Sequence, residues 1–147
     1  MPTTRRALLL GSAALATGGA AVGYAVARDR FDGATMTPPQ VLAAAQRGDV
    51  LLVDVRRPDE WAATGLPAPG IGIDMRRDDF VAALLAATGG DRAAPVAIIC
   101  ARGVRSDRMS ARLAAAGFTR VVDVPEGMLG SGAGPGWIAR ALPVRAP

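Results

Sequence analysis

Short apolar runs alternate with amphipathic segments along most of the chain, and glycine, proline or charged residues separate them. Four runs are apolar and rich in β-branched residues, which is typical of buried strands; they cover residues 50–55, 71–75, 96–100 and 121–124. Helical spacing of apolar residues marks four other segments: one begins at Pro38 and ends before Gly48, and the others cover residues 78–87, 105–116 and 137–141. Strands that are apolar throughout and alternate with helices predict an α/β fold, with a mostly parallel sheet of four to five strands and helices on both faces.

The N-terminal segment differs in pattern from the rest of the chain. Arg5 and Arg6 are followed by an apolar run, rich in glycine and alanine, that contains no charged residue before Arg28. The run ends in Ala25-Val26-Ala27, a small-x-small motif of the kind that export peptidases cleave. The paired arginines resemble the twin-arginine export signals, although Leu8 stands where phenylalanine is commonest and no lysine follows. We therefore expect recognition by the twin-arginine export machinery and a periplasmic protein. The alternative is an uncleaved anchor, because residues 7–27 are long enough to span the inner membrane.

The remainder of the chain is expected to form one domain. The sequence predicts a signal or anchor over residues 1–27, a polar lead-in over residues 28–37 and a domain over residues 38–147. Without the first 27 residues, 15 arginines face 13 acids, and the net charge of +2 is that of an ordinary soluble surface. Because aromatic residues make up only 4 % of the chain, a nucleic-acid reader built on stacked rings is not expected.

The numbers of histidine and cysteine residues exclude several kinds of catalytic and metal site. The chain has no histidine, which removes imidazole bases and imidazole metal ligands. It has one cysteine, which excludes an intramolecular disulfide and a zinc site built from several cysteines. No metal site is expected.

That cysteine, Cys100, ends the third predicted strand and is followed by a predicted helix. Ligands bind at the carboxyl ends of parallel strands, and backbone N–H groups of a loop that enters a helix favour a thiolate or an anionic substrate. Gly103 allows the loop to turn, and Arg102 and Arg105 add positive charge. The alternative is that Cys100 is a small buried core residue. The arginines and the glycine favour a reactive thiol.

The loop also carries a resemblance. Cys100-Ala101-Arg102-Gly103-Val104-Arg105-Ser106 resembles the active-site loop of the rhodanese-like sulfurtransferases, commonly C-R-x-G-x-R-S. Further matches follow in chain order over about residues 38–145: Val53-Asp54-Val55-Arg56 with Asp59-Glu60-Trp61, Ile73-Asp74-Met75, Gly117-Phe118 with residues 121–124, Glu126-Gly127-Met128, and Trp137 with Leu142-Pro143-Val144. The sequence departs from the family in two places. Ala101 replaces the first arginine of the loop, and Thr64-Gly65-Leu66-Pro67-Ala68 lacks the usual histidine.

The resemblance implies a sulfurtransferase that needs no metal or organic cofactor. The Cys100 thiolate would take sulfane sulfur from thiosulfate or a persulfide donor, hold it as a persulfide and pass it to a thiol or cyanide. Residues expected to bind the substrate are those of the loop: Ala101, Arg102, Gly103, Val104, Arg105 and Ser106. Asp54, Arg56 and Met128 are candidates for the pocket wall, although a structural ion pair for the first two and close packing for Met128 are alternatives.

Two other functions stay open at this point. The first is a periplasmic sulfur carrier or docking module that receives a persulfide from a partner and does not turn over thiosulfate. The second is a cysteine phosphatase, which is disfavoured because only four residues separate Cys100 from Arg105, one fewer than in the phosphatase signature, and Ile99 stands where those enzymes have a histidine.

Overall fold

The structure, a computed structural model, describes residues 30–147. Its strands are β1 (Ala34–Thr35), β2 (Leu51–Asp54), β3 (Leu66–Pro67), β4 (Ile71–Gly72), β5 (Val96–Ile99), β6 (Val121–Asp123) and β7 (Val144–Arg145). Five of them form one sheet in the order β1-β6-β5-β2-β4, and every pairing in it is parallel. The predicted α/β fold with a mostly parallel sheet is confirmed.

Helices cover both faces of this sheet. They are α1 (Pro38–Gln46), α2 (Pro58–Thr64), α3 (Phe80–Ala87), α4 (Val104–Ala115) and α5 (Gly136–Ala139). Successive side chains of a strand point to opposite faces, so the central strand β5 contributes to two hydrophobic clusters. Val96 and Ile98 pack with residues of α3 and α4, whereas Ala97 and Ile99 pack with residues of α1 and α5. The same alternation places Cys100 on the α4 side.

Four elements were not predicted from the sequence: the helix α2 and three short strands. β1 lies within the segment interpreted as a lead-in and extends the main sheet, pairing with β6. β3 and β7 pair antiparallel in a separate two-stranded sheet, which joins the segment after α2 to the C-terminal residues. Each of these strands has two residues, too few for a periodic pattern to be visible.

The predicted signal or anchor over residues 1–27 lies outside the described residues. Among residues 30–147, no helix is long and apolar enough to cross a membrane.

Candidate active site

The Cys100 thiol lies just beyond the carboxyl end of β5, at the centre of the sheet. Only 1 % of the residue is exposed, and the backbone N–H of Gly103 donates a hydrogen bond to Sγ at 3.2 Å. α4 begins at Val104, and the first N–H groups of a helix have no intrahelical acceptors and carry partial positive charge. The thiol therefore faces the positive end of a helix, as the sequence analysis expects.

Gly103 allows the tight turn of the loop that connects Cys100 to α4. Its φ of +86° is in the left-handed region, and a Cβ on it would lie 2.3 Å from the Pro125 carbonyl oxygen. A side chain at this position would therefore be strained and would also collide with backbone that cannot move cheaply.

A second loop, residues 125–131, packs directly behind the first. The N–H groups of Met128 and Leu129 donate to the carbonyl oxygens of Cys100 and Ala101, each at 2.8 Å. Gly127 allows this approach, because a Cβ there would lie 2.4 Å from the Ala101 oxygen. These two backbone hydrogen bonds fix the carbonyl groups of Cys100 and Ala101.

Ser106 is the side chain in hydrogen-bond contact with the thiol. Its Oγ lies 3.6 Å from Cys100 Sγ and donates a hydrogen bond to the Gly103 carbonyl at 3.0 Å. Ser106 is completely buried, since it occupies the inner side of the first turn of α4. Of the other predicted loop residues, Ala101 is buried, Val104 is exposed, and the exposed Arg102 reaches the Gly130 carbonyl at 3.3 Å.

The Arg105 guanidinium forms a two-pronged ion pair with Glu60 of α2. The two N···O distances are 2.6 and 2.7 Å, and both side chains are mostly buried. The hydrogen bonds from Arg105 are the main reason that the pKa of Glu60 falls from its ordinary value to about 2. In turn, Glu60 raises the pKa of Arg105. The positive charge expected from Arg105 is thus shared with a carboxylate.

The three residues suggested for the pocket wall have structural partners. Asp54 and Arg56 form a buried ion pair with N···O distances of 2.8–3.1 Å, and Arg56 also binds Thr64 Oγ1 and the Gly65 carbonyl at 2.8 Å. The Met128 side chain is buried in the cluster beneath α1 and α5. That these three residues also form the wall of a substrate pocket stays a prediction.

Two acidic residues that the sequence analysis did not assign to the site lie close to it. Glu60 binds Arg105, as described, and Asp123 ends β6 beside α4 with only 4 % exposed. Asp123 could have been identified from the sequence, because a carboxylate at the end of a predicted buried parallel strand lies at the edge of the sheet where ligands bind. Within residues 30–147, no cluster of three or more acidic, cysteine or histidine residues could hold a metal ion.

Comparison with protein families decides the classification. The sequence profile of the rhodanese-like domain matches residues 37–131, which include Cys100, its loop and the segment packed behind it. The chain belongs to the rhodanese-like domain family. A search of curated proteins finds no match to this rhodanese-like chain.

Solved structures give the same fold. The homodimeric polysulfide-sulfur transferase of Wolinella succinogenes is 27 % identical, with a TM-score of 0.64 over 87 % of this chain and 89 % of its own. A protein from M. tuberculosis is 28 % identical, with a TM-score of 0.58 over 78 % of this chain and 98 % of its own. A protein from Rhodopseudomonas palustris, described as of unknown function and a possible tyrosine phosphatase, is 21 % identical, with a TM-score of 0.55 over 92 % of this chain and 100 % of its own; at that identity the likeness concerns the fold alone. Family and fold together support sulfur transfer as the general activity.

Proposed function

We propose that this rhodanese-like protein is a sulfurtransferase that moves sulfane sulfur through a persulfide on Cys100. The observation that carries the proposal is the placement of Sγ, which accepts the Gly103 N–H at 3.2 Å in front of the first turn of α4. Backbone donors and a helix N-terminus stabilise an anionic sulfur in the resting and the loaded protein. The similarity to a polysulfide-sulfur transferase supports this class of chemistry.

The reaction is a double displacement. The Cys100 thiolate attacks the outer sulfur of thiosulfate, the sulfur–sulfur bond of the donor breaks, and sulfite leaves with the electron pair. An acceptor thiolate or cyanide then attacks the outer sulfur of the persulfide, and Cys100 leaves as a thiolate. Both steps begin and end with anions, so the balance needs no external oxidant or reductant. A persulfide or polysulfide donor enters the same sequence with a thiolate or shorter polysulfide as the leaving group.

Thiosulfate turnover is tested by steady-state assays of the purified protein with cyanide as acceptor. We expect double-displacement kinetics for the wild type and no turnover for Cys100→Ser. Mass spectrometry of the protein after donor treatment should show one added sulfur atom, which cyanide removes. A Cys100→Ser variant with wild-type turnover would exclude the persulfide route.

The alternative function is a sulfur carrier that receives its persulfide from a partner. One observation favours it over a thiosulfate enzyme. The Arg105 charge, which a dianionic donor would need, is shared with Glu60. A carrier would accept one sulfur atom from a low-molecular-mass persulfide or polysulfide and release it to a thiol, but would show no turnover with thiosulfate. The same mass measurement with the two kinds of donor separates these functions.

We also propose that the chain is exported to the periplasm by the twin-arginine route. The support is the pair Arg5-Arg6 before an uncharged run that ends in Ala25-Val26-Ala27. Replacing both arginines with lysine should leave the protein in the cytoplasm, whereas unchanged export would exclude this route. The mass of the exported protein separates cleavage after Ala27 from retention as an anchor.

A further inference from the structure

Asp123 is a buried carboxyl group that the sulfur-transfer steps above do not use. It ends β6, is only 4 % exposed, and its Oδ1 has no hydrogen-bond partner among the residues that the structure describes. Burial is the main cause that raises its pKa from an ordinary 3.8 to about 6. Asp123 pairs in register with Ile98, whose side chain lies with Cys100 on the face of the sheet that α4 covers. From α4, the Ser106 hydroxyl opposes the rise in the pKa of Asp123, although it directs its proton to the Gly103 carbonyl.

The charged groups around Asp123 come from several elements. Asp123 lines a cavity of about 630 Å³, which gives its carboxyl a route for proton exchange. Asp107 of α4 raises the pKa of Asp123 by charge repulsion, while its own Oδ1 accepts the Phe31 N–H at 3.2 Å. Three arginines line the same cavity: Arg30, Arg102 and Arg108. Cys100 Sγ lies 3.6 Å from the Ser106 Oγ.

The Ser106 hydroxyl has a single proton to donate, and three acceptors compete for it. They are the Gly103 carbonyl, the anionic Cys100 sulfur and the Asp123 carboxylate. A protonated Asp123 does not compete, because it becomes a donor to Ser106 Oγ and leaves the serine proton free for the sulfur. An ionised Asp123 draws that proton away and adds a second negative charge on the face of the sheet that carries the sulfur.

We propose that Asp123 is a positioning residue that acts through Ser106: its protonated form directs the serine hydroxyl to the anionic sulfur of Cys100, and its ionised form withdraws it. This inference rests on the proposed function only in taking Cys100 as the reactive sulfur. Its consequence is sulfur chemistry that is favoured on the acidic side of neutrality. The sulfur-transfer steps gain and lose no proton through this effect, because only the direction of the Ser106 hydroxyl group changes.

The test compares wild type with Asp123→Asn, whose amide can donate to Ser106 at every pH. The measured quantity is the ratio of kcat/KM for thiosulfate, variant over wild type, because this ratio cancels the titration of the substrates. We expect a ratio near one at about pH 5 that rises through about pH 6 to about threefold to tenfold at about pH 8, the order of one charge-assisted hydrogen bond in a partly solvated site. A ratio that is independent of pH, or that falls as pH rises, overturns the proposal.

Two further variants separate positioning from a mere change of charge. In the Ser106→Ala background, Asp123→Asn should change the rate by less than about twofold at every pH, since the hydroxyl that transmits the effect is gone. A full effect in that background overturns the role of Ser106. The matched control Asp107→Asn, on the same cavity, should retain the wild-type pH profile with its midpoint displaced to lower pH, because a charge that raises the pKa of Asp123 is removed.

A second readout works without a sulfur donor. Cys100 is the only cysteine in the chain, so iodoacetamide alkylation reports on it alone. We expect the alkylation rates of Asp123→Asn and wild type to show the same pH-dependent ratio as the turnover rates. If wild type transfers no sulfur but the alkylation ratio rises with pH, the proposed function fails and the positioning role stands. If wild type transfers sulfur while both ratios stay flat, the positioning role fails alone.

Discussion

The buried polar and charged groups on the two flanks of the active-site loop differ in how completely they are hydrogen-bonded. On the α2 flank, defined by Asp54, Arg56, Glu60 and Arg105, each carboxylate receives two or more hydrogen bonds from a guanidinium group. On the β6 flank, defined by Ser106, Ser110 and Asp123, both Ser110 Oγ and Asp123 Oδ1 are buried without a hydrogen-bond partner in the described part of the chain. One flank is held in a single arrangement, and the other retains unused donors and acceptors.

This difference indicates that the α2 flank stabilises the fold, whereas hydrogen bonds on the β6 flank can change. Charge pairs with several hydrogen bonds fix the geometry, because any displacement leaves a buried charge uncompensated. Unsatisfied polar groups cost free energy in the folded state and persist where they serve another purpose. We therefore expect substitutions on the α2 flank to reduce stability or activity, and the uncharged replacement of Asp123 on the β6 flank to increase both.

The largest effect is expected for Arg56→Ala. This change leaves the Asp54 carboxylate buried and unpaired, which should lower the free energy of unfolding by about 3–5 kcal/mol. Urea denaturation measures the loss. Arg47→Ala is the matched control, since it breaks a pair with Asp49 whose side chains are 63 % and 56 % exposed, and should cost about 1 kcal/mol or less. Equal losses in the two variants would contradict the stabilising role of the α2 flank.

The next largest effect is expected for Arg105→Ala, which leaves the Glu60 charge uncompensated beside the loop. We expect kcat/KM for thiosulfate to fall by about tenfold to hundredfold, with little dependence on salt, because the pair is mostly shielded from solvent. Removing the whole pair in Glu60→Ala/Arg105→Ala should recover much of this loss. A double variant as impaired as the single one would indicate that Arg105 contacts the donor directly rather than acting as half of a pair.

A smaller effect, of opposite sign, is expected for the stability of Asp123→Asn. The pKa of Asp123 is raised to about 6 by folding, so its stabilising contribution is full below about 3.8 and is lost as pH rises through about 6. The variant avoids this loss and should be more stable than wild type by about 1–3 kcal/mol at about pH 8, with the difference vanishing near pH 4.

Glu60→Gln provides the comparison from the α2 flank. The pKa of Glu60 is lowered from 4.5 to about 2, so its contribution is present above about 4.5 and is lost as pH falls towards 2. This variant should be less stable than wild type at neutral pH, and the two should converge in acid. Urea denaturation across the pH range measures both variants, and parallel pH profiles for them would contradict the distinction between the flanks.

The smallest effect is expected for Arg102→Ala. The Arg102 side chain is exposed and reaches only a backbone carbonyl, so it can attract an anionic donor at a distance but does not close on it. We expect kcat/KM for thiosulfate to fall by less than about threefold at low ionic strength and the deficit to shrink as salt is added. A larger, salt-independent loss would place Arg102 in contact with the substrate.

The sequence was sufficient to predict what depends on neighbours along the chain. Each of the four apolar runs contains one of the strands β2, β4, β5 and β6, and Cys100 directly follows β5. The run over residues 71–75 contains only the half-buried β4 (Ile71–Gly72), which is shorter than predicted. The helix after it was predicted to begin at Arg105 and begins one residue earlier, at Val104. Local pattern carries this information well.

Contacts between distant segments could not be predicted in the same way. Glu60 and Arg105 are 45 residues apart, and nothing in the spacing of either indicates the other. The lack of a hydrogen-bond partner for Asp123 Oδ1 among residues 30–147 depends on which side chains the fold brings to it. An aspartate at the end of a predicted strand gives no sign of this in the sequence. Strands of two residues, such as β1 and β7, are likewise fixed by their partners.

The interlocked backbones of the two loops have a consequence for the order of folding. The carbonyl groups of Cys100 and Ala101 are held by N–H groups of residues 128 and 129, and Gly103 lies against the Pro125 carbonyl. The loop that presents the thiol therefore reaches its final shape only after the chain has been synthesised well beyond it and β6 has joined the sheet. Such contacts also require a long loop of chain to close before they are gained. A nascent or partly folded chain thus carries its thiol without the surroundings that would make it reactive.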